Sequence, residues 1–139
     1  MRSSSATAEW NGVLKSGKGE MRLSEKNFPF SFNSRMEGGA GSSPEELLAG
    51  ALAGCFSMAL SADLEKAGFQ PQQVTSSAKA TFDNGSGKWT VETIQLDVNA
   101  KVPGIDDAKF QEIANGTKTA CPVSRALAGV KIELNAKLA

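Results

Sequence analysis

The sequence predicts an α+β fold with a mainly antiparallel sheet. Two observations predict it. Several segments alternate strictly between apolar and polar residues and are bounded by glycine- and asparagine-containing turns, and among them lies one long run of Leu, Ala and Gly with a strong helix start. With 139 residues, 40% of them hydrophobic, one domain over residues 1–139 is expected, small enough that a second copy would help cover its surface.

Thr7 to Leu14 carries a turn at Asn11-Gly12, and the chain resumes as Gly19-Glu20-Met21-Arg22-Leu23, a short opening meander of strands. Phe28 to Met36 alternates after Pro29 and is expected to be a half-buried strand with Arg35 near its end. Glu37 to Ser42 is loop by composition. Ser43-Pro44-Glu45-Glu46 then opens a helix: Ser43 suits the N-cap, Pro44 the first helical position, and Glu46 can reach back to the N-cap amide. Glu45 is left without a structural task. The helix carries Leu47, Leu48, Leu52, Cys55, Phe56, Leu60 and Leu64, and Gly68 stops it with Pro71 beyond.

Val74 to Phe82 and Lys88 to Val98 both alternate, and Asp83-Asn84-Gly85-Ser86-Gly87 between them is hairpin material. Ile105 to about Lys118 forms a second helix with acidic residues at its positive end. Cys121-Pro122-Val123-Ser124 opens a short third helix with proline in the first turn, and Val130 to Leu138 closes the chain as an alternating strand.

Composition excludes several functions. The 15 basic residues balance the 15 acidic ones without a block of either sign, so no nucleic-acid partner is expected. The longest apolar stretch, Leu47 to Leu60, is broken by Gly50, Gly54 and Ser57 and falls short of the roughly 20 residues that span a bilayer. The N-terminus has no apolar run of a secretory signal, so no membrane association and a cytoplasmic location are expected. Histidine is absent, which removes Ser-His and Cys-His catalysis, and two thiols alone make a poor zinc site. Neither a metal nor a cofactor is expected. In a reducing compartment a cysteine pair that does bond is usually catalytic or redox-sensing; the alternative is two small buried hydrophobes.

Local context favours Cys121 as the reactive thiol, because it precedes a proline at the start of a helix and so faces free amides and the positive end of a dipole. Cys55 stands mid-helix among Ala51, Phe56 and Ala59, where apolar surroundings raise a thiol pKa unless a cation approaches. On the residues alone it reads as structural.

Phe32-Asn33-Ser34-Arg35-Met36-Glu37-Gly38, Ser43-Pro44-Glu45-Glu46-Leu47-Leu48, Ala53-Gly54-Cys55-Phe56-Ser57-Met58-Ala59-Leu60 and Cys121-Pro122-Val123-Ser124, in this order, resemble the motifs of the osmotically inducible protein C family. The related organic hydroperoxide resistance proteins share the Pro-Glu and two-cysteine parts. The resemblance implies an OsmC-like fold, with the sheet packed on a long central helix in an intertwined homodimer. It also implies a thiol peroxidase that reduces organic hydroperoxides, and hydrogen peroxide more weakly. Cys55 would attack as thiolate and become a sulfenic acid. Cys121 would resolve it to a disulfide, and a dithiol reductant, lipoyl-type or small, would restore both. Arg35 matches the family's active-site arginine and Glu45 its carboxylate partner. The chemistry is sound, since a guanidinium stays charged, stabilises a thiolate and donates to a peroxide oxygen. One departure is visible: where many members have histidine three residues before the first cysteine, this chain has Leu52.

Glu45 and Cys55 on one unbroken helix would lie about 15 Å apart along its axis, too far for one guanidinium to touch both. Either the helix starts late or breaks near Gly50, or the site combines groups from two chains, with Arg35 reaching Cys55 across a dimer interface. The rival readings are a binding domain with inert cysteines, a general disulfide oxidoreductase, for which Cys-x-x-Cys is lacking, and a nucleotide site, for which Gly38 to Ser43 lacks the Gly-Lys-Ser/Thr ending.

Overall fold

A computed structural model describes all 139 residues, which form two compact units, Met1–Leu47 and Leu48–Ala139. The first unit opens with an antiparallel meander of β1 (Ala6–Asn11), β2 (Lys18–Leu23) and β3 (Lys26–Phe30). Gly12, at φ +99, turns the chain after β1, a conformation that favours glycine. Trp10 and Phe30 flank Gly19 in register, and their rings meet over it with centroids 5.4 Å apart. A side chain at Gly19 would collide with both.

Phe32–Met36 is a short helix, α1, rather than the continuation of the strand that alternation suggested. The cause is a reciprocal cap: Ser31 Oγ accepts from the Ser34 amide at 3.0 Å, and Ser34 Oγ accepts from the Ser31 amide at 2.9 Å. Two hydroxyls satisfy amides that a helix start otherwise leaves open, and the chain turns there.

The long helix α2 (Pro44–Lys66) begins where Ser43 and Pro44 place it. Ser43 Oγ accepts from the Glu46 amide at 3.1 Å, while the expected return bond from the Glu46 side chain does not form. The helix runs unbroken through Gly50 and Gly54. An 18-residue stretch of it averages hydropathy 1.6, enough by length and composition alone to cross a membrane, a test that the core helix of a soluble protein also passes. Leu52, Phe56, Leu60 and Leu64 are nonetheless fully buried within the chain.

The second unit is built on β4 (Gln73–Asp83), β5 (Thr90–Lys101) and β6 (Lys131–Leu138), in the order β4-β5-β6. The β4–β5 hairpin is antiparallel, as its alternation and turn predict. β6 pairs parallel to β5, because α3 (Asp107–Ala120) and α4 (Pro122–Ala126) carry the chain back before it re-enters the sheet. Ile94, Leu96, Val98 and Ala100 project from one face of β5. Phe56, Leu60 and Leu64 of α2 share a core with Leu96, Val98, Ala100, Phe110, Ala114, Ala136 and Cys121. The architecture is α+β, with every strand pair antiparallel except β5–β6.

Candidate active site

The sequence singled out four residues, and the structure brings them together as two pairs, one in each compact unit. Arg35 meets Glu45. The capped α1 presents Arg35 in its last turn, and the following loop doubles back so that the start of α2 faces it. Ser42 closes that loop on Pro29, with its amide and its hydroxyl each donating to the Pro29 carbonyl at 2.8 Å, while Ser34 Oγ donates to the Ser42 carbonyl at 2.8 Å. Gly41, at φ +118, has the Pro29 carbonyl 3.0 Å from where a Cβ would stand, so the turn needs glycine. Arg35 Nε then donates to both carboxylate oxygens of Glu45 at 3.1 Å, and Nη2 donates to Oε1 at 2.5 Å. The Glu45 side chain is 11% exposed and that of Arg35 39%, so the carboxylate is the more enclosed partner. This is the planar, forked pairing at which arginine excels.

Cys55 and Cys121 form the second pair. Cys55 is half-buried on α2, and Cys121, 1% exposed, joins α3 to α4. Cys121 Sγ donates to Cys55 Sγ at 2.9 Å, and both thiols are free. A disulfide needs about 2.05 Å, so closure asks for a small shift of two side chains. Asp63, two turns along α2 from Cys55, accepts from Thr117 Oγ1 at 2.7 Å, and the Thr117 carbonyl accepts the Cys121 amide at 2.9 Å. Fully buried Thr117 thus ties the helix bearing Cys55 to the one leading into Cys121.

The two sulfurs are not electrostatically equal. Burial pushes the Cys55 thiol up, and hydrogen bonding to Cys121 and that sulfur's charge raise it further, against a smaller opposite effect from the Val123 amide. Burial also opposes ionisation of Cys121. There it is outweighed by the hydrogen bond with Cys55, the amide and hydroxyl of Ser124 and the amide of Val123, which hold the Cys121 thiol below its ordinary value. The amides at the start of α4 are thus among the causes that lower Cys121, after the hydrogen bond with Cys55. Sequence reasoning passed over Thr117, Asp63 and Ser124. Only Ser124 left a local signal, standing three residues after a helix-opening cysteine.

Likeness to known proteins places the chain in a family. The family described as OsmC, OsmC-like protein, matches residues 37–135, which contain Glu45, Cys55 and Cys121 and begin just after Arg35. The peroxiredoxin OsmC of Escherichia coli (strain K12) is 40% identical over 123 residues, 86% of each chain. The organic hydroperoxide resistance protein OhrB of Bacillus subtilis (strain 168) is 31% identical over 106 residues, 73% of this chain and 76% of that one. Among solved structures, the OsmC-like protein of Mycoplasma pneumoniae superposes with a TM-score of 0.76 at 15% identity, covering 99% of this chain and 97% of the other, a likeness of fold. The family match over residues 37–135, with 40% identity to a peroxiredoxin OsmC, shows that this chain belongs to the OsmC family.

Proposed function

We propose that this protein is a peroxiredoxin-like enzyme that reduces organic hydroperoxides, and hydrogen peroxide more weakly, through Cys55 and Cys121. The observation that carries the reading is two free thiols 2.9 Å apart in a chain without histidine. The names of its relatives, a peroxiredoxin and an organic hydroperoxide resistance protein, support it.

In the proposed cycle the Cys55 thiolate attacks the terminal oxygen of the hydroperoxide. The O–O bond breaks, Cys55 becomes a sulfenic acid and the alkoxide takes a proton to leave as alcohol. The Cys121 thiolate then attacks the sulfenic sulfur, hydroxide leaves as water after protonation, and a Cys55–Cys121 disulfide remains. A lipoyl-type or small dithiol in a reducing cytoplasm returns both thiols. No cofactor enters the cycle.

Arg35 supplies the charge that Cys55 lacks, and Glu45 orients the guanidinium. The axial rise of a helix separates Glu45 from Cys55 by about 15 Å, which supports a site shared between two chains. The exposed side of α2, with Gly50, Ala51, Gly54 and Met58, is apolar and supports a homodimer with its active sites at the interface. Titration of free thiols tests the reaction: one equivalent of cumene hydroperoxide should remove two thiols and a dithiol restore them, and no loss would refute it. Cys55→Ser should abolish turnover, whereas Cys121→Ser should trap a sulfenic acid after one oxidation; the reverse would exchange the two roles. Mixed dimers of Cys55→Ala and Arg35→Ala chains should regain one working site, and activity no greater than that of either parent would exclude a shared site.

A further inference from the structure

We infer that the Ser124 hydroxyl is the hydrogen-bond donor reserved for the Cys121 thiolate, and that it speeds the steps in which that sulfur attacks or leaves. The inference deepens the two-thiol cycle and rests on it for the physiological reaction.

Three polar residues are buried in this chain, and two of them explain themselves. Ser42 donates to the Pro29 carbonyl, and Thr117 meets Asp63. Ser124, 8% exposed, is the exception: its Oγ is closed to solvent and has no hydrogen-bond partner. A buried unpartnered hydroxyl costs stability, and such a group calls for a reason. Its position supplies one. Cys121 is the N-cap of α4, Pro122 the first helical residue, and Ser124 the third. The third residue is where a capping side chain finds its donor amide, so the Cys121 sulfur and the backbone of Ser124 are natural partners. Cys121 makes no side-chain capping hydrogen bond as a thiol. The Ser124 hydroxyl is therefore unspent in the reduced dithiol and available to a thiolate. The direction of the Cys121 shift agrees, since the Ser124 hydroxyl and amide both favour its charged form.

The difference in burial assigns the step this serves. Cys55 is the half-buried sulfur and Cys121 is closed off, so an incoming dithiol meets Cys55. Its thiolate attacks Cys55 Sγ, the S–S bond breaks, and the bonding pair passes to Cys121 Sγ, which leaves as thiolate into the donors of α4. The second thiolate of the dithiol then displaces Cys55 and closes the oxidised dithiol. Its two protons balance the two protein thiolates.

The test forms the Cys55–Cys121 disulfide with diamide, without peroxide, and follows its reduction by dithiothreitol in stopped flow. Ser124→Ala should slow reduction about tenfold, the scale of one hydrogen bond to a charged group, and should move the Cys121 thiolate absorbance at 240 nm to higher pH. Its melting temperature should be unchanged or higher, because an unpartnered hydroxyl is gone. Ser124→Thr should restore rate and titration. An unchanged rate and titration in Ser124→Ala, or a slower rate with a lowered melting temperature that Ser124→Thr does not repair, would overturn the inference. Wild-type protein that reduces no hydroperoxide yet shows these diamide results would sink the peroxidase reading alone.

Discussion

Cys55 and Cys121 are chemically the same side chain made unequal by their surroundings, and that inequality can be titrated. The Cys121 pKa is lowered and the Cys55 pKa raised, so thiolate absorbance at 240 nm should appear in two steps as pH rises, the first below the ordinary thiol range and the second above it. Cys55→Ala should leave one step, moved upward because Cys121 has lost its hydrogen-bond partner; a step at unchanged or lower pH would contradict the assignment. Arg35 invites a similar substitution. Its two bonding nitrogens grip both oxygens of Glu45, a geometry that lysine cannot reproduce. On the proposed reading, Arg35→Ala should lower kcat/KM by at least about 100-fold, as loss of an oxyanion donor does, and Arg35→Lys should recover little of it. These roles were only partly legible. The helix start at Cys121 follows from Pro122, whereas no neighbour in sequence offers Cys55 a cation.

The elements show where local pattern suffices. Alternation and turn residues anticipated β4, β5 and β6, and Ser43-Pro44 marked the start of α2, because these signals act over a few residues. α1 escaped because Phe32 to Met36 is short enough to suit either period, and the decision lay in the Ser31–Ser34 exchange of hydrogen bonds. Ser31→Ala should therefore destabilise the protein by about 1 kcal/mol, the usual value of a lost N-cap, measurable by urea titration. It should also lower activity if α1 aims Arg35. In the meander, Gly19→Ala would press a methyl between Trp10 and Phe30 and should cost roughly 1–3 kcal/mol of overpacking, with altered tryptophan fluorescence. Unchanged stability would mean that the rings part freely.

At the scale of the molecule, α2 is both core and surface. One side holds Phe56, Leu60 and Leu64 in the core, and another leaves Met58 77% exposed beside Gly54. If a second copy covers that side, Met58→Glu should convert dimer to monomer in sedimentation and abolish turnover while leaving the far-ultraviolet spectrum intact. A dimer that persists with full activity would place the interface elsewhere. The sequence by itself determined the fold class, the starts of α2 and α4 and the lack of histidine chemistry, since periodicity, capping and composition are properties of neighbouring residues, while the four residues worth watching came from the resemblance to a family. Tertiary structure decided that β6 returns parallel, that Arg35 closes on Glu45, and that Cys55 and Cys121 stand 2.9 Å apart with Ser124 enclosed behind them. Contacts between residues remote in sequence depend on how helices and strands pack, and no local pattern encodes the position of a sulfur to within a bond length.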